Sequence, residues 1–224
     1  MNPSTRARVL GPAPGVVEVW QVALPVGGTP AEADLRLLDQ VERARAMRPG
    51  PRGAPYARAH AALRVILGEH LSIAPEALRF LHGEGKKPRL ATAGAVRFSL
   101  AHTDGLALLA VASDREVGVD VERLSEMIDV DRVAAAFLSP ADVAAVTMAP
   151  PELRRRAFFS AWTRHEARLK LRGRGLELAQ ATGVEEPVSL VLVRALEVGA
   201  GIAAAVAADG SGWRVEMKEF TRPG

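Results

Sequence analysis

Two carboxylates lie two residues apart in an apolar segment near the middle of the chain. Asp120 and Glu122 alternate with Val119 and Val121, and the segment 117–122 is predicted to be a strand. Side chains at positions i and i+2 of a strand share one face, so both carboxylates are expected to point the same way. Two adjacent carboxylates repel each other unless a cation lies between them, and hard oxygen ligands of this kind suit magnesium. The alternative is that both residues are solvated or pair with nearby arginines.

A second pair of ionisable residues lies on a predicted helix further along the chain. One face of this helix carries residues spaced by four: Phe158, Trp162, Glu166 and Lys170. The two aromatic residues would anchor the helix, and the two charged residues would project beside them. An ordinary i,i+4 salt bridge, which contributes only about 0.3 to 0.5 kcal/mol, is the alternative explanation for the charged pair. Together with the acidic strand, this pattern predicts a divalent-metal site that holds a phosphate ester, and hence phosphoryl-type chemistry.

The composition is that of an ordinary globular protein. The chain has 224 residues, of which 25% are charged and 48% hydrophobic, enough for one large domain or two small ones. The absence of cysteine excludes disulfides, thiolate metal sites and a cysteine nucleophile, and it fits a reducing cytoplasm. The N-terminal residues lack the apolar core of a signal peptide, and no apolar run is long enough to span a bilayer. We therefore expect a soluble, cytoplasmic protein.

The net charge is positive and is carried mainly by arginine. The formal charge is +3 and the sequence pI is about 9.8, and the segment 152–174 is especially rich in arginine. Such a segment suits a nucleotide, an acidic protein or a nucleic acid, although a solvated helix face also explains any single arginine. A basic nucleic-acid-binding module is therefore one hypothesis. Against it, three Trp, one Tyr and six Phe offer few side chains for base stacking.

Hydrophobic periodicity and turn residues divide the chain into strands and helices. The step Asp104-Gly105 between two apolar runs is a strong hairpin signal, and Ser139-Pro140 is typical of a helix N-terminus. The glycines in 172–175 are typical of a helix end. Strands are predicted at 16–24, 96–100, 106–113, 117–122, 188–196, 201–208 and 213–220. Helices are predicted at 31–48, 56–71, 131–137, 141–148 and 152–171.

This order of elements predicts an α+β fold, because each half of the chain mixes strands with one main helix. The halves are similar in size and element content, although the sequence has no exact internal repeat. We expect two similar α/β subdomains with a pseudo-twofold relation. The N-terminal subdomain is placed at residues 1–114, and the C-terminal subdomain, which carries the acidic pair, at residues 115–224.

Four motifs occur in an order that resembles a known enzyme family. They are Gly-Lys-Lys-Pro at 85–88, Phe-Ser-Leu-Ala-His-Thr at 98–103, Gly-Val-Asp-Val-Glu at 118–122 and Phe-Ser-Ala-Trp-Thr-Arg-His-Glu-Ala-Arg-Leu-Lys at 159–170. The last two resemble the signature motifs of the 4'-phosphopantetheinyl transferases, in their single-chain surfactin-synthetase-activating type. The first two are similar to that family's glycine-lysine-proline element and phenylalanine-x-x-serine-histidine-serine segment. The resemblance covers most of the chain from about residue 56 to residue 175.

The resemblance implies the fold of that family, with coenzyme A bound in the cleft between two similar halves. It also implies transfer of the phosphopantetheine arm of coenzyme A to a serine hydroxyl of an acyl or peptidyl carrier protein, with release of adenosine 3',5'-bisphosphate. Carried over residue by residue, it makes Asp120, Glu122 and Glu166 the magnesium ligands. The serine proton would go to Glu166 or to a water polarised by the metal, and the sequence leaves both open.

The same resemblance assigns cationic side chains to the phosphates of coenzyme A. Lys170 would contact the transferred phosphate and offset the charge that develops on it. Lys87 and His102 would hold the phosphates on the adenosine side. Arg58 or Arg64, which share one predicted helix, would assist with the nucleotide.

Two residues depart from the family pattern. His165 stands where the family usually has lysine, so a fixed positive charge becomes dependent on pH. Ala101 replaces the usual serine before His102, which removes a hydroxyl donor. A catalytically impaired relative that binds coenzyme A or a carrier protein without transfer is therefore an alternative, although the carboxylate set is intact.

The expected partners follow from the resemblance and from the two-part organisation. They are coenzyme A and carrier protein domains, with neither nucleic acid nor membrane among them. A single chain with two halves is sufficient as a monomer. Fatty acid, polyketide and nonribosomal peptide synthesis are all open as the setting, and the resemblance favours carrier activation in secondary metabolite biosynthesis.

Overall fold

The computed structural model describes residues 11–82, 87–91, 96–173 and 190–222. It confirms the predicted α+β class. The strands are β1 (Val16–Ala23), β2 (Phe80–His82), β3 (Pro88–Leu90), β4 (Arg97–Thr103), β5 (Leu106–Ala112), β6 (Val117–Arg123), β7 (Val191–Ala195), β8 (Ile202–Asp209) and β9 (Arg214–Glu219). The helices are α1 (Glu32–Leu35), α2 (Gln40–Ala46), α3 (Gly53–Leu71), α4 (Val130–Phe137), α5 (Pro140–Met148) and α6 (Pro151–Leu171). Within these ranges, none of the helices combines the length and apolar character needed to cross a membrane.

The strands form two main sheets and a small ribbon. The first sheet has the order β4-β5-β1-β9, the second has the order β6-β8-β7, and β2 pairs with β3. The neighbours β1 and β9 are parallel, in a register that pairs Val16 with Arg214, whereas the other neighbours are antiparallel. β9 follows the second sheet along the chain but belongs to the first. The predicted division between residues 114 and 115 therefore separates the two main sheets except at this strand, and it stays a prediction.

Each main sheet uses one face for a shared core and the other for a long helix. Val17 of β1 and Val119 of β6 lie in one buried cluster, so the inner faces of the two sheets pack together. The outer face of the first sheet is covered by α3, whose Leu67 packs against β4 and β5. The outer face of the second sheet is covered by α6, where Ala167 packs with Ala205. The two long helices therefore lie outside the paired sheets.

Most predicted elements are present with small shifts at their ends, but the helix predicted at 31–48 is wrong. Two separate helices, α1 and α2, occupy this segment. The Asp39 carboxylate accepts a hydrogen bond from the Glu42 N–H, and the Glu42 carboxylate accepts one from the Asp39 N–H, so a capping box starts a new helix. The strands β2 and β3 were not predicted, because three residues are too few to show a period. The predicted residues at 85–86, 174–175 and 188–189 lie outside the described ranges.

The helix α6 lies directly on β6 because Gly118 has no side chain. A Cβ atom at Gly118 would lie 2.0 Å from the Ala167 carbonyl oxygen and 2.4 Å from the Leu171 backbone nitrogen. Both distances are shorter than a van der Waals contact, so only glycine permits this approach. Asp120 and Glu122 share the face of β6 that carries Gly118, and they therefore point toward the α6 side of the sheet.

A buried ion cluster around Glu18 ties β9 to β1. The Glu18 carboxylate accepts hydrogen bonds from Lys218 Nζ at 2.5 Å and from Trp20 Nε1 at 3.0 Å, and it lies 3.0 Å from His70 Nε2. Burial alone would raise the pKa of Glu18, but the hydrogen bonds with His70 and Lys218 outweigh it and lower the pKa to about 2. The cluster joins β1, β9 and α3.

Gly118→Ala is expected to lower the free energy of unfolding by about 3 kcal/mol or more, because α6 must move away from β6. Urea unfolding followed by circular dichroism measures this loss. Gly201→Ala is the matched control, since its new Cβ meets no atom of the described residues within 4 Å. That control carries only the cost of a left-handed conformation, roughly 1 to 2 kcal/mol. Equal losses in the two variants would contradict the close-approach argument.

Glu18 is expected to make the stability of the fold depend on pH in the acidic range. Its pKa of about 2 lies below the ordinary value of 4.5, so its contribution is fully present above about pH 4.5 and is lost as the pH falls toward 2. The Tm difference between the wild type and Glu18→Gln should therefore be largest near neutral pH and should shrink below pH 4.5. Thermal unfolding across a pH series measures it, and a difference that stays constant down to pH 2 would refute this role.

Candidate functional site

The packing of α6 on β6 brings the acidic strand and the charged helix face together. Lys170 Nζ lies 2.6 Å from Oδ1 of Asp120, whose side chain is only 4% exposed. Glu166 precedes Lys170 by one helical turn on the same face of α6. Glu166 and Glu122 both interact electrostatically with Asp120 and Lys170. The structure therefore gathers into one region the four residues that the two main motifs supplied.

The carboxylates of this region have too few donors around them. Oδ2 of Asp120 and Oε1 of Glu166 are buried and have no hydrogen-bond partner in the described part of the chain. Buried carboxylate oxygens normally meet donors, because burying an unpaired charge is costly. The third carboxylate, Glu122, is half-buried. Oxygens in this state suit a ligand that is not a protein atom.

Burial raises the pKa of all three carboxyl groups, and repulsion by the Asp120 carboxylate adds to the shift of the other two. Burial is the main cause for Asp120, whose pKa is raised although Lys170 opposes the shift. Burial and the charge of Asp120 raise the pKa of Glu122 to about 7. The same two causes raise the pKa of Glu166. A bound cation would favour the ionised forms and would reverse these shifts.

The chemistry of this donor set fits a hard divalent cation, although the side chains do not surround a common point. Within the described ranges, no three acidic or histidine side chains are arranged closely enough to hold a metal ion. Instead, the Lys170 ammonium group forms a salt bridge with one carboxylate oxygen of Asp120. Carboxylate oxygens without donors are nevertheless the ligands that magnesium prefers. Asp120, Glu122 and Glu166 stay the predicted ligands, and Lys170 would compete with the metal for Asp120.

A cleft of about 430 Å³ opens beside these groups. It is lined by residues of α2 and α3, by Glu166 and Lys170 of α6, and by residues of β4. Lys87 and His102 line it as well, so four of the predicted site residues share one cleft. Asp120 does not line the cleft itself but is bound to Lys170, which does. The volume lies within the range of small-molecule sites.

The ammonium group of Lys87 has partners within the protein. Nζ donates to Oε2 of Glu116 at 3.0 Å, to the Val117 carbonyl at 2.9 Å and to the Leu171 carbonyl at 3.3 Å. Burial lowers the pKa of Lys87, and the charge of Glu116 opposes that shift. Lys87 therefore ties the end of α6 to β6, and its contact with a phosphate stays a prediction.

Strand β4 presents His102 to the cleft and Ala101 to the core, because successive residues of a strand face opposite ways. His102 is exposed, yet desolvation within the cleft, together with positive groups such as His60 and Lys170, lowers its pKa. A neutral imidazole still offers a phosphate one N–H donor. Ala101 is buried in the shared core between the sheets. Ala101 itself does not line the cleft.

His165 also lies away from the cleft lining. Its ring is half-buried, with its centroid 6.2 Å from that of Trp162. Burial is the main cause that lowers the pKa of His165, and the charge of Arg168 adds to it. Histidine in place of lysine at this position therefore leaves the residues that line the cleft unchanged.

Arg58 and Arg64 are both bound to carboxylates of the protein, and neither side chain lines the cleft. Arg58 Nε donates to Asp34 at 3.0 Å. Arg64 is fully buried and donates to Asp39 and Glu42 from within the protein. Neither arginine lines the cleft as the structure describes it. The nucleotide contacts proposed below therefore come from cations that line the cleft.

The cleft wall formed by α2 and α3 was missed by sequence analysis. Tyr56 and His60 stack with ring centroids 4.0 Å apart, and Cζ of Arg45 lies 5.1 Å from the Tyr56 centroid. All three residues line the cleft. The sequence contained one signal for this wall, the capping-box pattern of Asp39 and Glu42. That pattern predicts the start of a separate helix, and Arg45 lies on that helix.

The chain is similar in sequence to several known proteins. A family model described as the 4'-phosphopantetheinyl transferase superfamily matches residues 116–196. The 4'-phosphopantetheinyl transferase HetI of Nostoc sp. is 33% identical over 171 residues, which cover 70% of this chain and 72% of that protein. A putative 4'-phosphopantetheinyl transferase, slr0495 of Synechocystis sp., is 30% identical over 51% of this chain and 48% of its own length. The 4'-phosphopantetheinyl transferase AcpT of Salmonella typhimurium is 33% identical over 49% of this chain and 56% of its own length.

Lys170 is expected to stabilise the fold when no metal is present, because it donates to the buried Asp120. Lys170→Met should lower the free energy of unfolding in EDTA by about 1 to 3 kcal/mol, less than for a fully buried pair because Lys170 is partly exposed. Asp120→Asn combined with Lys170→Met should recover most of that loss. Urea unfolding gives the values, with Arg168→Met as an exposed control on the same helix. Wild-type stability in Lys170→Met would rule out this role.

Proposed function

This chain belongs to the 4'-phosphopantetheinyl transferase superfamily, and from that premise we propose that it loads carrier proteins. The proposed reaction transfers the 4'-phosphopantetheine arm of coenzyme A to a serine hydroxyl of an acyl or peptidyl carrier protein. Within the superfamily we propose the single-chain surfactin-synthetase-activating type. The observation that carries the proposal is the placement of Glu166 and Lys170 in a cleft that Lys87 and His102 also line.

Coenzyme A is proposed to bind in this cleft with its phosphates toward the cationic side chains. Lys87, His102 and Arg45 line the part of the cleft that we assign to the adenosine-side phosphates. Lys170 is assigned to the phosphate that is transferred. Charge-assisted hydrogen bonds to phosphate are stronger in a partly desolvated cleft than in water, so a few such contacts are sufficient to orient the pyrophosphate.

The proposed chemistry is a displacement at the phosphorus that carries the pantetheine arm. The serine oxygen forms a bond to this phosphorus, and the bond to the oxygen of the adenosine-side phosphate breaks, which releases adenosine 3',5'-bisphosphate. The serine proton passes to the carboxylate of Glu166 or to a water beside it. Glu166 lines the cleft, so its carboxylate is placed where it can accept that proton. Lys170 offsets charge on the transferred phosphate.

Magnesium is the proposed cofactor, held by Asp120, Glu122 and Glu166. When bound, it would neutralise charge on the pyrophosphate and stabilise the leaving bisphosphate. One buried carboxylate oxygen of Asp120 and one of Glu166 have no partner among the described residues, and both support this assignment. The raised pKa of all three carboxyl groups supports it too, since each would prefer a neighbouring cation.

The remaining proposals concern organisation and setting. We propose an N-terminal subdomain of residues 1–114 and a C-terminal subdomain of residues 115–224, with β9 returning to the first. A cytoplasmic monomer that activates carriers of secondary metabolism is the proposed setting. The alternative of a catalytically impaired relative was motivated by His165 and Ala101. Neither residue lines the cleft, which favours an active enzyme.

The function is tested by loading of carrier proteins. The wild type, given coenzyme A and magnesium, should add the phosphopantetheine arm to an apo carrier, seen as a mass gain in intact-protein mass spectrometry. Asp120→Ala should slow loading by at least about a hundredfold, as expected for loss of a group that stabilises the transition state. Asp131→Ala, an exposed acid on α4, is the control. Failure of the wild type to load any of several acyl and peptidyl carriers would refute the function, and full activity of Asp120→Ala would refute the site.

A further inference from the structure

One wall of the cleft carries two carboxylates, which is unexpected where an anionic ligand binds. Asp39 and Glu42 both line the cleft that we assign to coenzyme A. A carboxylate within a few ångströms of a phosphate repels it, because like charges are only partly screened in a partly desolvated cleft. Some feature of this wall must therefore offset the two negative charges. The following inference rests on the proposed function, because it assumes that the cleft receives phosphates.

The two carboxylates are needed to start α2. Asp39 and Glu42 form the reciprocal capping box of that helix, with backbone-to-carboxylate hydrogen bonds of 2.9 and 3.1 Å. The helix in turn carries Arg45 to the cleft, where it lies over the Tyr56 ring. The fold therefore obtains a cation in the cleft only together with two anions beside it.

Arg64 lies behind this wall and binds both carboxylates. Its Nε donates to Oε2 of Glu42 at 2.6 Å, and its Nη2 donates to Oδ2 of Asp39 at 2.9 Å. Its Nη1 donates to the carbonyls of Pro75 and Leu78 at 3.0 and 3.1 Å. The side chain is 0% exposed, so this guanidinium group has no path to a ligand in the cleft. Its charge acts on the ligand only through the carboxylates.

Glu42 remains ionised in this arrangement. Burial would raise the pKa of Glu42, but hydrogen bonds with His60 and Arg64 outweigh it and lower the pKa. His60 Nδ1 lies 3.2 Å from the second oxygen of Glu42. A negative charge therefore persists at the wall, and its field is offset by a cation placed on the far side from the cleft.

We propose that Arg64 is a positioning residue for phosphate binding: it fixes α2 through Asp39 and Glu42 and masks their charge from the anionic ligand. The residue that the family resemblance placed on the nucleotide thus acts from behind the wall. Its removal exposes two carboxylates to the phosphates, and removal of the carboxylates as well cancels that effect.

Calorimetric titration with adenosine 3',5'-bisphosphate tests the proposal. Arg64→Met should raise Kd about tenfold at low ionic strength, which corresponds to 1.4 kcal/mol. The increase should shrink at high salt because it is electrostatic. The triple variant Arg64→Met, Asp39→Asn, Glu42→Gln should bind within about threefold of the wild type, since asparagine also caps a helix. A triple variant that binds no better than Arg64→Met would overturn the proposal, because lost packing alone predicts no rescue.

A matched control separates charge masking from loss of stability. Lys218→Met also removes a cation from a buried carboxylate, Glu18, but both residues lie outside the cleft lining. It should lower Tm without changing Kd. In carrier loading, Arg64→Met should raise KM for coenzyme A about tenfold while kcat changes less than about threefold, as expected for a residue that acts on ground-state binding. A fall in kcat with unchanged KM would contradict the proposal.

A milder variant keeps the proposal testable if Arg64→Met does not fold. Asp39→Asn retains Arg64, Glu42 and the helix cap, and it removes one negative charge from the wall. It should bind the bisphosphate a few times more tightly than the wild type at low salt, and weaker or equal binding would overturn the masking. If the wild type itself binds neither coenzyme A nor the bisphosphate, the proposed function fails. If the wild type binds normally and Arg64→Met binds with the same Kd, only the masking proposal is refuted.

Discussion

The site depends on one backbone contact, the approach of α6 to β6 over Gly118. The helix can lie on the strand only where no Cβ intervenes, since such an atom would fall 2.0 Å from the Ala167 carbonyl oxygen. Once the helix is seated there, its 3.6-residue period places Glu166 and Lys170 on the side of Asp120. A residue without a side chain thus determines where three charged side chains meet.

The pKa values of two glutamates are shifted in opposite directions, and the difference comes from their neighbours. Glu18 is surrounded by donors, and the pKa of Glu18 is lowered to about 2. Glu122 has carboxylates as neighbours, and burial together with Asp120 raises the pKa of Glu122 to about 7. The first environment is complete within the protein and stabilises the fold. The second has excess negative charge that the described residues do not neutralise, as expected of a site that binds a cation.

Sequence reasoning succeeded where the information is local. The hairpin at Asp104-Gly105, the cap at Ser139 and the α6 helix depend on residues close together in the chain, and all are present. The helix predicted at 31–48 failed because the capping box at Asp39 was not recognised as a start. The orientation of the Arg64 side chain could not be predicted, because its carboxylate partners lie 22 and 25 residues away in the sequence. Local patterns predict elements, whereas the partner of a buried charge depends on packing.

The position of β9 bears on how the protein acquires its fold. Because this strand pairs in parallel with β1, the first sheet is finished only after about two hundred residues have been made. Until then the nascent chain exposes the unpaired edge of β1 and leaves Glu18 without Lys218. Contacts between such distant segments form slowly, because a long loop must close first. During synthesis, the N-terminal half is therefore expected to be the part most exposed to aggregation and in most need of a chaperone.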